Sequence, residues 1–358
     1  MPRSPQDICA RSIASNLAAP QHRPRPLPLF LELLRSETAS DPAALAAALK
    51  GLRAYQQAPR DFAPPEATVI DREGRAVLRS YGAKGRRILF VPSLINGSSV
   101  LDLTPANSMM RGLAAQGLDP ILLDWGIPDA SEADLDIGGH VERFLVPLLD
   151  RLGDVVLAGY CLGGVMAVAA ATLAAPRALI LIATPWDFSG FPADTRQNLL
   201  QLWQAAKPTA DAMGLVPAEV LQQVFWQIDP KRTVHKFVQF ADKDPLSPEG
   251  QNYIAVEDWA NDGPPMTYAA GRDLMENLQG ANVSGEGRWA VGGRFIDPAA
   301  LQMPVLNIVS TTDSITPAET AWQGGDRIAL EEGHVGMVVG RKAPHSLWHR
   351  IGEWVAKL

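Results

Sequence analysis

The chain has 358 residues, of which 47% are hydrophobic and 20% charged, and its formal net charge is −7. A chain of this size can bury a large core, and its length suggests two domains or one domain with a large insertion. The acidic balance argues against a nucleic-acid surface, because neutralising phosphates requires clustered Lys and Arg. The most basic segment, Lys84 with Arg86 and Arg87, is predicted to be the solvated start of a strand.

The cellular location is inferred from the N-terminus and the cysteines. Residues 1–28 contain Arg and Pro but lack the apolar stretch of a secretory signal. The chain has two cysteines, Cys9 and Cys161, which favours a reduced, cytoplasmic setting. The longest apolar region, 163–183, is interrupted by a Pro-Arg pair. It predicts a buried helix followed by a buried strand, and no transmembrane segment.

The predicted elements begin with a helix that Asp41 caps, that starts at Pro42 and that ends before Pro59. An antiparallel hairpin with a Glu-Gly turn is expected next, over 68–81. Short apolar strands then alternate with helical segments; strands are expected at 86–93, 120–125, 155–159 and 178–184, with helices near 105–116, near 138–152 and from 163. This alternation predicts a parallel sheet with right-handed crossovers.

The alternation stops between Trp186 and about Ala300, where amphipathic helices are expected without a strong strand. It resumes with strands at 304–310 and 326–331, and a final helix closes the chain. We therefore predict three parts: a Pro-rich tail with an accessory helix (1–60), a core (61–186 and 301–358) and a cap (187–300).

A nucleophile elbow is predicted at the second of the two cysteines. In an elbow the reactive residue lies on a sharp turn between a strand and a helix, so the positions two residues before and after it must lack bulk. Gly159, Cys161 and Gly163 have this spacing, between an apolar strand and a helix of small residues. The alternative is a small, inert hydrophobic side chain packed at the end of a strand.

A thiol nucleophile needs a base, and the base needs a carboxylate that orients it. In α/β hydrolases the acid and then the histidine follow the nucleophile, each after a late strand. Asp313 and His334 lie just after the two late strands. The alternatives are a turn or cap role for Asp313, a loop role for His334, and Asp187 as the acid. We therefore expect an α/β-hydrolase fold: a mostly parallel sheet flanked by helices, with a large, mainly helical cap inserted after the sixth strand.

An oxyanion hole is expected from two backbone N–H groups. One belongs to Leu162, and the other to the loop after the strand at 86–93, around Leu94 and Ile95, with Asn96 and Gly97 turning that loop. Losing one such donor typically costs about 2.7 to 4 kcal/mol of transition-state stabilisation. A cysteine suits a thioester substrate, because its acyl intermediate is itself a thioester that can acylate an incoming alcohol.

Six segments resemble one family: FVPSLINGSSVLDLTPANS, ILLDWGIPDAS, GYCLGG, TPWDF, PVLNIVSTTDSITP and GHVGM. Over roughly residues 66–358 the chain is similar to polyhydroxyalkanoate synthases, most of all to the short catalytic subunits of the two-component type. The Gly-x-Cys-x-Gly-Gly box and the segment with Asp124, Trp125 and Pro128 are specific to that group among α/β hydrolases.

The resemblance implies a polymerising acyltransferase. Cys161 would carry the growing chain, His334 would activate it, and Asp313 would assist the attacking 3-hydroxyl group. The substrate would be a 3-hydroxyacyl coenzyme A thioester, so coenzyme A is part of the substrate and no cofactor or metal is expected. A second synthase subunit and the surface of polyester granules are the partners that the resemblance implies.

Other functions remain open at this point. Many relatives have a histidine after the catalytic aspartate, whereas this chain has Ser314. The same triad could serve a thioesterase or esterase, including the dienelactone-hydrolase type, and a non-enzymatic polymer- or partner-binding role is a third hypothesis. The segment 186–300 contains five of the nine tryptophans, explained either by core packing or by an acyl channel, a homodimer contact or a polymer surface. Its Gly- and Pro-rich segments suggest a mobile lid.

Overall fold

The sheet is the central element of the fold. A computed structural model describes residues 22–60 and 67–358. Within them eight strands form one sheet: β1 (Thr68–Glu73), β2 (Ala76–Ser80), β3 (Arg87–Val91), β4 (Asp119–Asp124), β5 (Val156–Tyr160), β6 (Ala178–Ile182), β7 (Val305–Ser310) and β8 (Asp326–Leu330). Their order across the sheet is β1-β2-β4-β3-β5-β6-β7-β8.

The pairing is antiparallel only at one edge. β1 pairs with β2 and β2 with β4 in antiparallel register, while the remaining pairs are parallel. The sheet is therefore mostly parallel, as predicted, and the predicted hairpin forms β1 and β2. Parallel strands place all their carboxyl ends at one edge of the sheet, where ligands bind in open α/β sheets.

The apolar runs become strands because helices cover both faces of the sheet. Every residue of β5, β6 and β7 is buried. The helix Leu162–Ala174 is buried from Leu162 to Ala171, which explains its lack of a polar face. The other helices in this layer are Met109–Ala115, Ile137–His140 continuing through a π-helical turn (Val141–Leu145) into Val146–Leu152, Gly336–Val339, and the π-helical turn Pro344–Trp348 with His349–Val355.

The long segment between β6 and β7 is mainly helical, which confirms the predicted insertion after the sixth strand. Its helices are Ala193–Met213, Ala218–Ile228, Pro230–Phe240, Pro248–Asn261 and Tyr268–Arg272, the last continuing into a π-helical stretch, Asp273–Gly280. The strands described there are two-residue ladders. Four of its tryptophans are buried, in agreement with the packing explanation: Trp186, Trp203, Trp226 and Trp289.

The chain divides into two compact units, and the smaller one combines distant parts of the sequence. Its described residues are 22–60 and 230–261. The helix Pro42–Gln57 begins as predicted, with Asp41 accepting a hydrogen bond from the Ala44 N–H at 2.9 Å. Gly51 packs on the carbonyl of Phe237 so closely that a Cβ atom would lie 1.9 Å from its oxygen.

The larger unit comprises residues 67–229 and 262–358 and contains the whole sheet. The predicted boundaries at 60/61, 186/187 and 300/301 stay predictions. Across the described ranges, no helix is both long and apolar enough to span a bilayer. Cys9 and the rest of residues 1–21 lie outside the described residues.

Candidate active site

Cys161 occupies a sharp turn between β5 and the helix Leu162–Ala174. Its φ and ψ angles are 56° and −128°, a conformation that costs a non-glycine residue free energy. A Cβ on Gly159 would lie 2.4 Å from the Cα of Gly164, and a Cβ on Gly163 would lie 2.2 Å from the Val91 carbonyl oxygen. Both positions therefore require glycine, and the packing that requires it holds the turn in its strained form.

The fold brings the predicted acid and base together at the carboxyl edge of the sheet. Asp313 follows β7, His334 follows β8, and both are 7% exposed. His334 Nδ1 lies 2.6 Å from Asp313 Oδ2. The Cys161 thiol lies close enough to His334 to raise the pKa of the imidazole. Because Nδ1 is held by the carboxylate, Nε2 is the nitrogen left for the thiol.

Asp313 is fixed by the turn that follows it. Its Oδ1 accepts hydrogen bonds from the N–H groups of Ile315 at 2.8 Å and Thr316 at 3.0 Å. The Thr316 hydroxyl donates to Oδ2 at 2.8 Å and lies 3.1 Å from His334 Nδ1. Burial raises the pKa of Asp313, but the attraction of His334 and these hydrogen bonds outweigh it and hold the pKa below its ordinary value.

The surroundings of His334 favour the protonated form of its imidazole. Burial lowers its pKa, whereas the charges of Asp313 and Cys161 and its hydrogen bond to Asp313 raise it, and the result is a pKa of about 10. The Tyr160 ring stacks on the imidazole with ring centroids 5.0 Å apart, and its hydroxyl donates to the His334 carbonyl at 3.2 Å. These contacts fix the position and plane of the imidazole ring.

The two predicted oxyanion donors differ in their surroundings. Leu162 is the first residue of its helix, where N–H groups have no acceptor within the helix. The Ile95 N–H donates to Ser93 Oγ at 3.0 Å. Asn96 turns the loop with φ at 63°, as expected, and Trp125 Nε1 anchors the start of the loop by donating to the Pro92 carbonyl at 3.0 Å. The oxyanion role of Leu162 and Ile95 stays a prediction.

An apolar cavity of about 70 Å³ adjoins Cys161. Its walls come from the insertion as well as from the sheet edge, and include Phe188, Phe191, Leu199, Leu221, Phe225 and Met275. Two polar side chains, Thr316 and Gln279, also line it. The cavity can therefore take an apolar group attached to the carbonyl carbon that the thiol would attack.

The rival acid, Asp187, and the buried His140 are engaged elsewhere. Asp187 Oδ1 accepts hydrogen bonds from the Ser189 N–H at 3.0 Å and from Asn282 Nδ2 at 2.8 Å, which caps a turn. His140 is buried, with Nδ1 2.7 Å from the Asp136 carbonyl and Nε2 2.7 Å from Arg75 Nη2. These contacts make Asp187 and His140 structural residues.

Thr316, Tyr160 and Gln279 were not predicted from the sequence. The Asp-x-x-Thr-Pro segment at 313–317 contains a signal for Thr316, because an Asp side chain commonly caps the backbone two and three residues later. Tyr160 adjoins the nucleophile, but adjacency does not predict stacking on a histidine 174 residues away.

The sheet order and the elbow define a protein of the α/β-hydrolase fold. No protein-family model matches the chain. The chain is 28% identical over 316 residues to the poly(3-hydroxyalkanoate) polymerase subunit PhaC of Haloferax mediterranei, covering 81% of this chain and 63% of that one. It is 27% identical over 288 residues to the PhaC subunit of Thiocystis violacea, covering 75% of this chain and 80% of that one. Over most of its length the chain is therefore similar to polyhydroxyalkanoate synthases, which confirms the resemblance that its motifs predicted.

The chain spans less than two thirds of the length of the Haloferax relative. Among solved structures, the monoacylglycerol lipase of Paleococcus ferrophilus aligns with a TM-score of 0.46 at 14% identity, over 82% of this chain and 99% of that one.

Proposed function

We propose that this protein polymerises (R)-3-hydroxyacyl coenzyme A thioesters into a polyhydroxyalkanoate through an acyl group carried on Cys161. The observation that supports the proposal most directly is the proximity of the Cys161 thiol to a histidine whose Nδ1 atom lies 2.6 Å from a buried carboxylate. Similarity to relatives that are named poly(3-hydroxyalkanoate) polymerase subunits supports the choice of substrate.

The first step transfers the acyl group from coenzyme A to the enzyme. Cys161 Sγ attacks the thioester carbonyl carbon while its proton passes to His334 Nε2. Asp313 stabilises the imidazolium that forms, and the raised pKa of His334, about 10, favours that protonated state. The carbon–sulfur bond to coenzyme A then breaks, and the leaving sulfur takes the proton from His334. The developing oxyanion would be met by the Leu162 N–H and by the loop around Ile95.

The second step forms the ester bond. The 3-hydroxyl of another hydroxyacyl coenzyme A attacks the acyl-Cys161 carbonyl, and its proton passes to the His334–Asp313 pair. The bond to Cys161 Sγ breaks, and the sulfur regains a proton. The chain, now one unit longer on coenzyme A, returns to Cys161 by the first step. A thioester intermediate keeps its acylating power, which favours this transfer.

The test is incubation of the purified protein with 3-hydroxybutyryl coenzyme A, alone and with candidate partner subunits. We expect release of coenzyme A and insoluble polyester, with activity dependent on a second subunit if the chain is of the two-component type. Release of coenzyme A with only free 3-hydroxybutyrate would instead identify a thioesterase.

The matched variants are Cys161→Ala and Cys9→Ala, which change the chain's two cysteines. Cys161→Ala is expected to lower turnover by at least about 10³-fold, because the acyl carrier is lost, whereas Cys9→Ala should keep wild-type turnover. Unchanged turnover in Cys161→Ala would exclude the proposed role. Cytoplasmic location and association with polyester granules complete the proposal, and microscopy of granule-forming cells with a fluorescently tagged chain tests both.

A further inference from the structure

Gln279 is a polar residue in the wall of an otherwise largely apolar cavity. It lines the cavity beside Cys161 together with Leu274 and Met275, and only 7% of its surface is exposed. Its Oε1 atom is shut off from solvent and has no hydrogen-bond partner among the described residues. A buried, unpaired amide oxygen normally costs about 1 to 3 kcal/mol of stability. A side chain in this position is expected to have a partner that arrives with a ligand.

The backbone directs Gln279 into the cavity. It lies near the end of the π-helical stretch Asp273–Gly280, in which backbone hydrogen bonds join residues five apart, so that such residues lie about one turn from each other. Gln279 therefore shares a face with Leu274, another residue of the cavity wall. π-Helical turns occur frequently at functional sites, where they re-aim a side chain.

The same stretch is held firmly in place. Arg196 Nε donates to the Gln279 carbonyl and Arg196 Nη2 to the Gly280 carbonyl, both at 2.9 Å. One turn earlier, Glu276 Oε1 accepts from Trp203 Nε1 at 2.8 Å and lies 2.6 Å from Lys207 Nζ. The amide of Gln279 is thus presented from a fixed backbone, as a specificity contact requires.

We propose that Gln279 recognises the hydroxyl substituent of the acyl chain that Cys161 takes up, and so selects hydroxyacyl over unsubstituted acyl thioesters. The proposal rests on the proposed function, since it assumes that Cys161 accepts an acyl group. A hydroxyl is both donor and acceptor, and a side-chain amide has one end of each kind, so the pair is chemically matched. An unsubstituted chain leaves the amide unpaired, and sites built for a hydroxyl discriminate strongly for that reason.

The test compares acylation of Cys161 by (R)-3-hydroxybutyryl coenzyme A and by butyryl coenzyme A, which differ only in the hydroxyl. Single-turnover release of coenzyme A gives the rate, and intact-protein mass gives the acyl adduct. We expect wild type to prefer the hydroxylated substrate. Gln279→Met, which keeps the length of the side chain without its amide, should lower that preference by about tenfold through slower acylation by the hydroxylated substrate only.

The control is Gln204→Met, the same exchange at an exposed position, which should keep the wild-type preference. Gln279→Met should also keep or raise the melting temperature, because it removes an unpaired buried amide. An unchanged preference, or an equal fall for both substrates, would overturn the role of Gln279 while leaving acyl transfer intact. If neither substrate acylates wild-type Cys161, either alone or with the candidate partner subunits, the proposed function itself fails, and the role of Gln279 fails with it.

Discussion

Thr316 is the residue that contacts both members of the His334–Asp313 pair. Its hydroxyl hydrogen donates to Asp313 Oδ2, and its backbone N–H donates to Oδ1, so one residue orients both carboxylate oxygens. A hydrogen bond to a charged group contributes about 1.5 to 3 kcal/mol. Thr316 thereby acts as a positioning residue, because it reaches the thiol only through its neighbours.

Replacing Thr316 by Val keeps the shape of the side chain and removes the hydroxyl. We expect kcat/KM for coenzyme A release to fall by about 10- to 100-fold, because the carboxylate loses the donor at Oδ2. Thr172→Val is the control, since Thr172 donates to the Val168 carbonyl on the helix after the elbow. Equal kcat/KM in Thr316→Val and wild type would contradict the positioning role, provided that both proteins melt at similar temperatures.

Residues were predictable where spacing along the chain encodes the geometry. Cys161, Asp313 and His334 each follow a predicted strand, and parallel strands end at one edge, so their meeting followed from the order of elements. Gln279 could not be found in this way, because a single Gln in a helical segment gives no sign of the wall that it faces. Its position depends on the π-helical register, which the apolar periodicity of 273–280 does not reveal.

The contact between the helix Leu162–Ala174 and strand β3 is set by Gly163. A Cβ there would lie 2.2 Å from the Val91 oxygen and 2.5 Å from the Pro92 oxygen. Both are backbone atoms that cannot rotate away. The helix and the oxyanion loop after β3 are therefore coupled through one position without a side chain.

Gly163→Ala should force these two elements apart. We expect a loss of about 1 to 3 kcal/mol in the free energy of unfolding, the usual cost of overpacking, together with reduced acylation. Gly336→Ala is the stability control, since a Cβ there has its nearest neighbour at 4.0 Å, and Ala in a helix is neutral or stabilising. Urea denaturation of both variants measures the difference; equal loss in the two would argue against the clash.

Among the elements, strands were predicted within a few residues, since their β-branched apolar runs are continuous and bounded by turns. The pairing of 230–261 with residues 22–60 was missed. Phe30 and Tyr55 both pack edge-on against Phe237, with ring centroids 5.1 and 6.0 Å apart. Contacts between aromatic side chains about two hundred residues apart leave no periodic pattern in either segment.

Across the whole molecule, two buried histidines make stability depend on pH in opposite directions. Burial, together with the charge of Arg75, lowers the pKa of His140 to about 4, so the unfolded chain binds a proton first on acidification and stability falls between about pH 6.5 and 4. The pKa of His334 is raised to about 10. The contribution of His334 to the free energy of unfolding is therefore complete below about pH 6.5, and it is lost as the pH rises towards 10.

The fall in stability on acidification can be tested with one substitution. His140→Gln removes the titrating group, so its free energy of unfolding should fall by about 3 kcal/mol less than that of wild type between pH 7 and pH 4. The readout is the change in the free energy of unfolding with pH and not its absolute value, because the substitution also disturbs the contact with Arg75. His345→Gln, at an exposed position, should keep the wild-type slope. Parallel curves for His140→Gln and wild type would refute this assignment.

The π-helical stretch Asp273–Gly280 has a consequence for how related enzymes diverge. An α-helix advances about 100° around its axis per residue, so deleting one residue from the helix Tyr268–Arg272 that leads into this stretch, with the winding unchanged, would turn the Gln279 amide by about that angle, away from the cavity. Substrate preference in this lineage could then change through a shift in segment length, with every residue that touches the thiol left as it is.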